Sequence, residues 1–407
     1  MHVYKQLLTV ALVAWLVQRP TITTSERLDA FLRSRVSDGD VPGVVAMIVG
    51  REATIYAGAF GKADVARNRL MTSDNIFRIA SMTKPVTSLA AMMLVEQGRL
   101  GLDDPVGKYL PDFLHTRVLT AWHEADATYD ARPPRRPITV RDLLTHTSGI
   151  AYPFVDARLA KLDDGHKSVS ELPLVSDPGE RFVYGPSTAV LGDIVAKVSQ
   201  MPLERFFEAR IFEPLGMRDT GFSVPDDHRD RVVTVHARAA DGSLREMPNG
   251  ASFKAPPHGD GGLFSTAADY GRFMQLFLNR GRAGTTQLVK ERTIDLMTSN
   301  QLGSIKVTEQ PTTDPTLARP FPIGAGKDTF GFGFQIEGRP AVAGRRSVGS
   351  LSWGGIYNTH FWIDPQRAIA AVVLMQVLPY YDARALQVLR GFEREVYTEH
   401  ATPTRHR

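Results

Sequence analysis

Ser81-Met82-Thr83-Lys84 is the single Ser-x-x-Lys in the chain. A serine hydroxyl is a poor nucleophile until a neighbouring base takes its proton. An amine one helical turn away can serve if burial disfavours its charged form. Met82, Val86, Leu89 and Met93 recur at helical spacing, and Pro85 is tolerable only in a first turn. That pattern predicts Ser81 at a helix N-terminus with Lys84 on the same side. There the free N–H groups and the helix dipole favour a developing oxyanion. The blander reading is a capping serine beside a solvated lysine.

Tyr184 stands in Pro178-Gly179-Glu180-Arg181-Phe182-Val183-Tyr184-Gly185-Pro186-Ser187, a Gly/Pro-bounded loop ahead of a predicted helix. Such a loop can present a phenol to a cleft, and the phenol acts as a base where a cation such as Lys84 stabilises phenolate. Alternatively it is a packed aromatic. Trp353-Gly354-Gly355 closes a predicted strand, where paired glycines imply close approach of something to the backbone. A strand edge beside the nucleophile can bind substrate and lend an N–H to an oxyanion hole. A bulge or bend is the competing explanation. Gly-x-Ser-x-Gly, the mark of a nucleophile elbow, is absent, which argues against an α/β-hydrolase.

Elements at both ends of the chain must position these groups. Residues 27–36 carry helical spacing, and 43–49 with 54–60 read as a hairpin of two strands. A mainly helical stretch spans about 75–300, with helices at 86–97, 189–199, 206–211 and 267–279. Strand chemistry returns at 331–337, 348–353, 359–363 and 368–375, and a helix at 382–399 ends the pattern. Residues 301–328, rich in Pro, Thr and Gly, read as a long loop. The expected class is α+β: an antiparallel sheet flanked by helices, built from 25–75 and 325–407, with 76–324 as a mainly helical inserted lobe. The active site is expected between the lobes.

Composition narrows the chemistry. The chain has 407 residues, no cysteine and a net charge of +4. Disulfides, thiolate metal sites and a cysteine nucleophile are thereby excluded. The eleven histidines show no ligand spacing, so no metal and no cofactor is expected. The basic clusters at 132–136 and Arg345-Arg346 are short, and no nucleic acid is expected as partner. An apolar run within residues 1–24 is too short to span a bilayer but suits a secretory leader, slightly favouring a periplasmic or secreted protein over a cytoplasmic one.

Taken in order, Ser81-x-x-Lys84, the Tyr184 loop and Trp353-Gly354-Gly355 resemble the serine β-lactamase and penicillin-binding-protein superfamily. Within it the chain looks most similar to the family VIII carboxylesterases, relatives of class C β-lactamases. Residues 79–85 (IASMTKP), 102–110 (LDDPVGKYL), 138–149 (ITVRDLLTHTSG), 212–220 (FEPLGMRDT) and 261–269 (GGLFSTAAD) extend the resemblance over about 25–395. It implies that Ser81 forms an acyl-enzyme on a small ester, that Lys84 and Tyr184 share the acid and base duty, and that the oxyanion hole is the backbone N–H of Ser81 and of Ile356. His146, within the HTSG stretch, reads as structural.

The sequence also departs from the family pattern. Lys or His usually stands where Trp353 does and helps bind a substrate carboxylate, whereas Trp353 offers an apolar wall. Pro186 occupies a common asparagine position, and Gly185 replaces a common serine. These changes favour neutral short-chain or aromatic esters. A β-lactamase, a D-Ala peptidase or an acyltransferase of the same fold is the alternative, and a non-catalytic scaffold is a third reading.

Overall fold

The run GVVAMIV forms a strand buried along its whole length, β1 (Gly43–Val49), because it is apolar on both faces and both faces are covered. It lies inside an eight-stranded antiparallel sheet in the computed structural model, which describes residues 23–247 and 253–398. Along the chain the strands are β1, β2 (Thr54–Asp64), β3 (Arg69–Leu70), β4 (Thr329–Phe330), β5 (Gln335–Ile336), β6 (Leu351–Gly355), β7 (Thr359–Asp364) and β8 (Ile369–Leu374). Their spatial order is β4-β5-β6-β7-β8-β1-β2-β3. β1 therefore joins β2 on one side and β8 on the other, with Val45 opposite Leu374, so strands distant in sequence close one sheet.

Alternate residues of each strand feed separate cores, as a period of two requires. Val44, Ala46, Ile48 and Trp362 pack with helices α1 (Thr24–Ser37) and α5 (Ala383–Thr398). The Trp362 indole N–H donates to the Tyr397 hydroxyl at 3.0 Å, and that hydroxyl donates to Asp364 at 3.0 Å, fixing α5 to the sheet. Val45, Met47, Val49, Val372 and Trp353 join the larger core on the opposite face. That core also holds α2 (Thr83–Glu96), α3 (Ser187–Ser199) and α4 (Ala267–Leu278).

Several elements differ from expectation for local reasons. Residues 331–337 do not form one strand: the turn between β4 and β5 runs through Gly333 at φ +95°, where a Cβ would lie 2.7 Å from Ser88 Oγ. The mainly helical stretch contains the hairpin Val118–His123 with Thr128–Arg132, and Phe77–Arg78 paired with Phe264–Ser265. The helix expected at 206–211 is Leu203–Phe207 continued by a wider π turn over Glu208–Phe212. No helix or strand occurs from 299 to 328, as the composition of that segment predicts. Residues 1–22 of the apolar leader lie outside the described residues. Among the described residues no helix is long and apolar enough to cross a membrane.

Candidate active site

Helix α2 is expected to bury one stripe, yet Thr83 through Leu94 are all buried. It is enclosed by α3, by Leu203–Phe207 and by Glu291–Thr298, which makes it a central helix rather than a surface one. Just ahead of it, Ala80 to Met82 form a tight 3₁₀ turn. Ser81 thus sits in this turn rather than in the first turn of the α-helix itself. Ala80 has φ +44°, a conformation that costs a non-glycine residue energy and persists only where its surroundings impose it. They do so here. Phe77–Arg78 is paired with Phe264–Ser265, the Ile79 N–H donates to Leu263 O at 3.0 Å, and the Tyr270 hydroxyl donates to Met82 O at 3.0 Å.

The Ser81 Oγ receives two hydrogen bonds, one from the Tyr184 hydroxyl at 2.7 Å and one from Lys84 Nζ at 3.2 Å. Lys84 is 1% exposed, and its Nζ also donates to Tyr152 Oη at 3.0 Å and to Asp260 O at 2.8 Å. Three oxygens therefore surround its Nζ within hydrogen-bond distance. Nζ lies 4.9 Å from the centre of the Tyr184 ring and 5.3 Å from that of Tyr152.

Tyr152 and Asp260 were not singled out in the sequence. Burial above all, with the nearby Asp260 charge, pushes the Tyr152 phenol well above its ordinary range. It stays protonated, accepting from Lys84 and donating to the Asp260 carboxylate. The Gly259-to-Leu263 segment is held against α2 by Thr87, whose hydroxyl donates to Gly259 O at 2.5 Å. A Cβ on Gly259 would meet Thr188 O at 2.2 Å, so glycine lets this segment lie between α2 and α3.

The Tyr184 loop is fixed from both sides. Its N–H donates to Gln310 Oε1 at 2.9 Å, and the Val183 N–H donates to His146 O at 2.8 Å. A Cβ on Gly185 would lie 2.1 Å from Ile150 O, so no side chain fits there. Pro186 caps α3 without a side-chain hydrogen bond. His146 is buried against Phe182, Tyr184, Phe330 and Trp353. Burial, with the Lys84 charge, pushes its imidazole down to about 3, and its Nδ1 has no hydrogen-bond partner. It makes no hydrogen bond to Ser81 among the described residues, in keeping with a packing role.

Trp353, Gly354 and Gly355 end β6, and Ile356 begins the turn into β7. A Cβ on Gly355 would stand 2.2 Å from Ile79 O, and one on Gly354 would stand 2.6 Å from the Tyr380 hydroxyl. The close approach implied by the paired glycines is therefore, at Gly355, to the backbone that leads into Ser81 and, at Gly354, to Tyr380 and His360. Ser81 and Ile356 line one cavity of about 400 Å³, with Tyr152, Tyr184, Asp260 and Trp353. Phe154, Leu263, Phe264, Ala318, Phe321 and Tyr380 make much of the remaining wall apolar, and Arg78 adds a cation. Trp353 packs on Tyr184 at 5.4 Å between ring centres and on Phe330 at 5.4 Å. Among the described residues no group of three or more metal-ligating side chains is arranged to hold an ion.

The chain matches known proteins over nearly all of this architecture. A family model described as Beta-lactamase matches residues 28–390. The chain is 29% identical over 402 residues to monacolin J acid methylbutanoyltransferase of Aspergillus terreus, covering 92% of this chain and 95% of that one. It is 29% identical over 406 residues to esterase EstB of Burkholderia gladioli, covering 91% and 94%. Among solved structures, the LovD6 mutant of simvastatin synthase (LovD) from Aspergillus terreus aligns with a TM-score of 0.80 at 27% identity, covering 92% of this chain and 95% of that chain.

Proposed function

The chain belongs to the Beta-lactamase family and is a hydrolase of that fold, and from that premise we propose that it is a serine carboxylesterase acting on neutral short-chain or aromatic esters. The observation that carries this reading is the Ser81 Oγ, bonded to both Tyr184 and Lys84 at a largely apolar cavity whose wall includes Trp353. A carboxylate-bearing β-lactam or peptide gains no cation from that tryptophan, whereas an acyl chain or aromatic alcohol gains contact area. The names of the two relatives, an esterase and an acyltransferase, support acyl chemistry on small molecules.

In this mechanism the Ser81 Oγ attacks the ester carbonyl carbon while its proton passes to the Tyr184–Lys84 pair. That pair must lack one proton beforehand to accept it. The carbonyl oxygen takes up the negative charge and is held by the backbone N–H groups of Ser81 and Ile356. The tetrahedral intermediate then collapses, the carbon–alcohol oxygen bond breaks, and the departing alcohol receives the proton from the pair. Water next attacks the acyl-Ser81 carbonyl, giving its proton to the pair. Breaking the acyl–Oγ bond releases the acid and restores the serine. An alcohol taking the place of water yields a new ester, the transferase variant suggested by the methylbutanoyltransferase relative.

Kinetics with p-nitrophenyl butyrate and nitrocefin test the reading. The expected result is a kcat/KM for the ester that exceeds the value for nitrocefin by at least ~100-fold, about 2.7 kcal/mol of transition-state preference. A higher kcat/KM for nitrocefin would overturn it. Adding a primary alcohol and looking for transesterified product separates the transferase variant.

A further inference from the structure

A second cavity of about 350 Å³ shares Trp353, Gly354 and Tyr380 with the Ser81 cavity, but is not lined by Ser81, Tyr152, Tyr184 or Asp260. Its wall carries five guanidinium groups, Arg339, Arg345, Arg346, Arg390 and Arg394, against two carboxylates, Asp328 and Glu393. That leaves a formal excess of three positive charges, or two once the adjacent Glu337 is included.

The arginines are unequally satisfied. Arg346 closes on Glu393 at 2.7 and 3.0 Å, and Arg339 closes on Glu337 at 2.6 Å. Arg345 donates from Nη2 to Pro340 O at 2.9 Å and reaches Glu337 only at 3.7 Å, and its buried Nε has no hydrogen-bond partner. Arg390 and Arg394, exposed on α5, form no ion pair with any described residue. Trp353 and His360 also line this cavity, and the Trp353 Nε1 and the His360 Nε2 are buried without a hydrogen-bond partner. Burial and the Arg346 charge hold the His360 imidazole down to about 3, so it adds no charge of its own.

Buried polar groups in native proteins are seldom left without partners, and planar guanidinium groups match carboxylate and phosphate oxygens in geometry and charge. We propose that this cavity is a second binding site, for a small organic anion with a carboxylate or phosphate head, whose occupant bears on the Trp353–Gly354 segment that also walls the Ser81 cavity. The anion head is taken by the arginines at the rim, and the rest of the molecule lies against Tyr380, Tyr381 and Phe361. Gly354 transmits the contact, because it is wedged between the Tyr380 hydroxyl and His360 with no room for a side chain. The site does not depend on the esterase reading, since binding there is measurable without turnover.

Isothermal titration of the full chain with inorganic phosphate and with citrate, at ionic strength matched by chloride, tests the proposal. The expected result is saturable binding of at least one anion, retained after Ser81 is phosphonylated and weakened tenfold or more in Arg390→Glu/Arg394→Glu. Tighter binding of phosphate identifies a phosphate head, and tighter binding of citrate a carboxylate head. Arg345→Ala, outside α5, is expected to weaken binding as well and guards against misfolding of the double variant. No saturable binding beyond chloride, or binding abolished by phosphonylation, or binding unchanged in all these variants, overturns the site. Saturation is further expected to change kcat or KM for p-nitrophenyl butyrate at least twofold. Binding with both constants unchanged overturns the link to Trp353–Gly354.

Discussion

The Tyr184 hydroxyl stands 2.7 Å from the Ser81 Oγ, closer than the Lys84 amine at 3.2 Å on the same oxygen. Tyr184→Phe removes this contact and keeps the ring that packs on Trp353. Loss of a positioned proton-transfer group lowers kcat by roughly 10²–10⁴-fold. KM for p-nitrophenyl butyrate is expected to stay within about threefold, because the apolar wall is intact. Steady-state kinetics of the variant check this, and a kcat within a factor of two of the parent would remove Tyr184 from the proton path.

Tyr152 touches Lys84 but makes no hydrogen bond to Ser81, so we assign it a positioning role. Tyr152→Phe leaves the amine with acceptors at Ser81 and Asp260 O and frees it to rotate. A roughly 10- to 100-fold fall in kcat is expected, with a shifted pH profile of kcat/KM, since a hydrogen bond of about 1.5–3 kcal/mol that orients the amine is lost. An unchanged profile alongside a lowered Tm would mark a purely structural residue.

Gly355 faces the Ile79 carbonyl with no space between them, and that carbonyl belongs to the chain leading into Ser81. Gly355→Ala must push the two backbones apart, at a cost of about 2–3 kcal/mol in stability. The same displacement moves the Ile356 N–H relative to Ser81, and loss of an oxyanion-hole donor lowers kcat by roughly 10²-fold or more. Urea denaturation and kinetics read the two effects separately. Wild-type kcat in a folded Gly355→Ala protein would contradict the placement of Ile356.

His146 and His360 are buried, and burial pushes each imidazole from 6.5 down to about 3. Their folded pKa values lie below the unfolded value, so the unfolded chain binds more protons between pH 6.5 and 3. Their contribution to stability is whole above pH 6.5 and lost as the pH falls towards 3. Each contributes a slope of about 1.4 kcal/mol per pH unit within that window. Urea midpoints measured from pH 7.5 to 4.5 are expected to fall below pH 6.5, and less steeply in His360→Gln. Equal slopes in parent and variant would show that His360 titrates normally.

How far the sequence disclosed this arrangement depended on how local each part is. Ser81 and Lys84 are three residues apart, and that spacing together with the apolar stripe that follows pointed to the contact the structure shows, although Ser81 lies in the 3₁₀ turn ahead of α2. The loop around Tyr184 and the strand with Trp353-Gly354-Gly355 left a packed aromatic and a bulge open, and only the resemblance carried by their order along the chain singled them out as site residues. Tyr152 and Asp260 were not legible, because both are far from Lys84 in the chain and meet it only in the fold, Asp260 through the packing of the Gly259-to-Leu263 segment against α2. Signals existed: Tyr152 follows the HTSG stretch closely, and Asp260 immediately precedes the quoted Gly261-Gly262. The sheet was legible from its apolar runs, whereas the β4–β5 turn was hidden inside a continuous apolar string. There the positive φ of Gly333 and its contact with Ser88 outweigh strand propensity.

The most direct measurement is mass spectrometry of the protein after treatment with a fluorophosphonate, which phosphonylates an activated serine hydroxyl. The expected result is one adduct, on the peptide containing Ser81, absent in Ser81→Ala and slowed by at least tenfold in Lys84→Ala. An adduct on any other serine, or none on a folded and active protein, would contradict the assignment of Ser81 as the nucleophile.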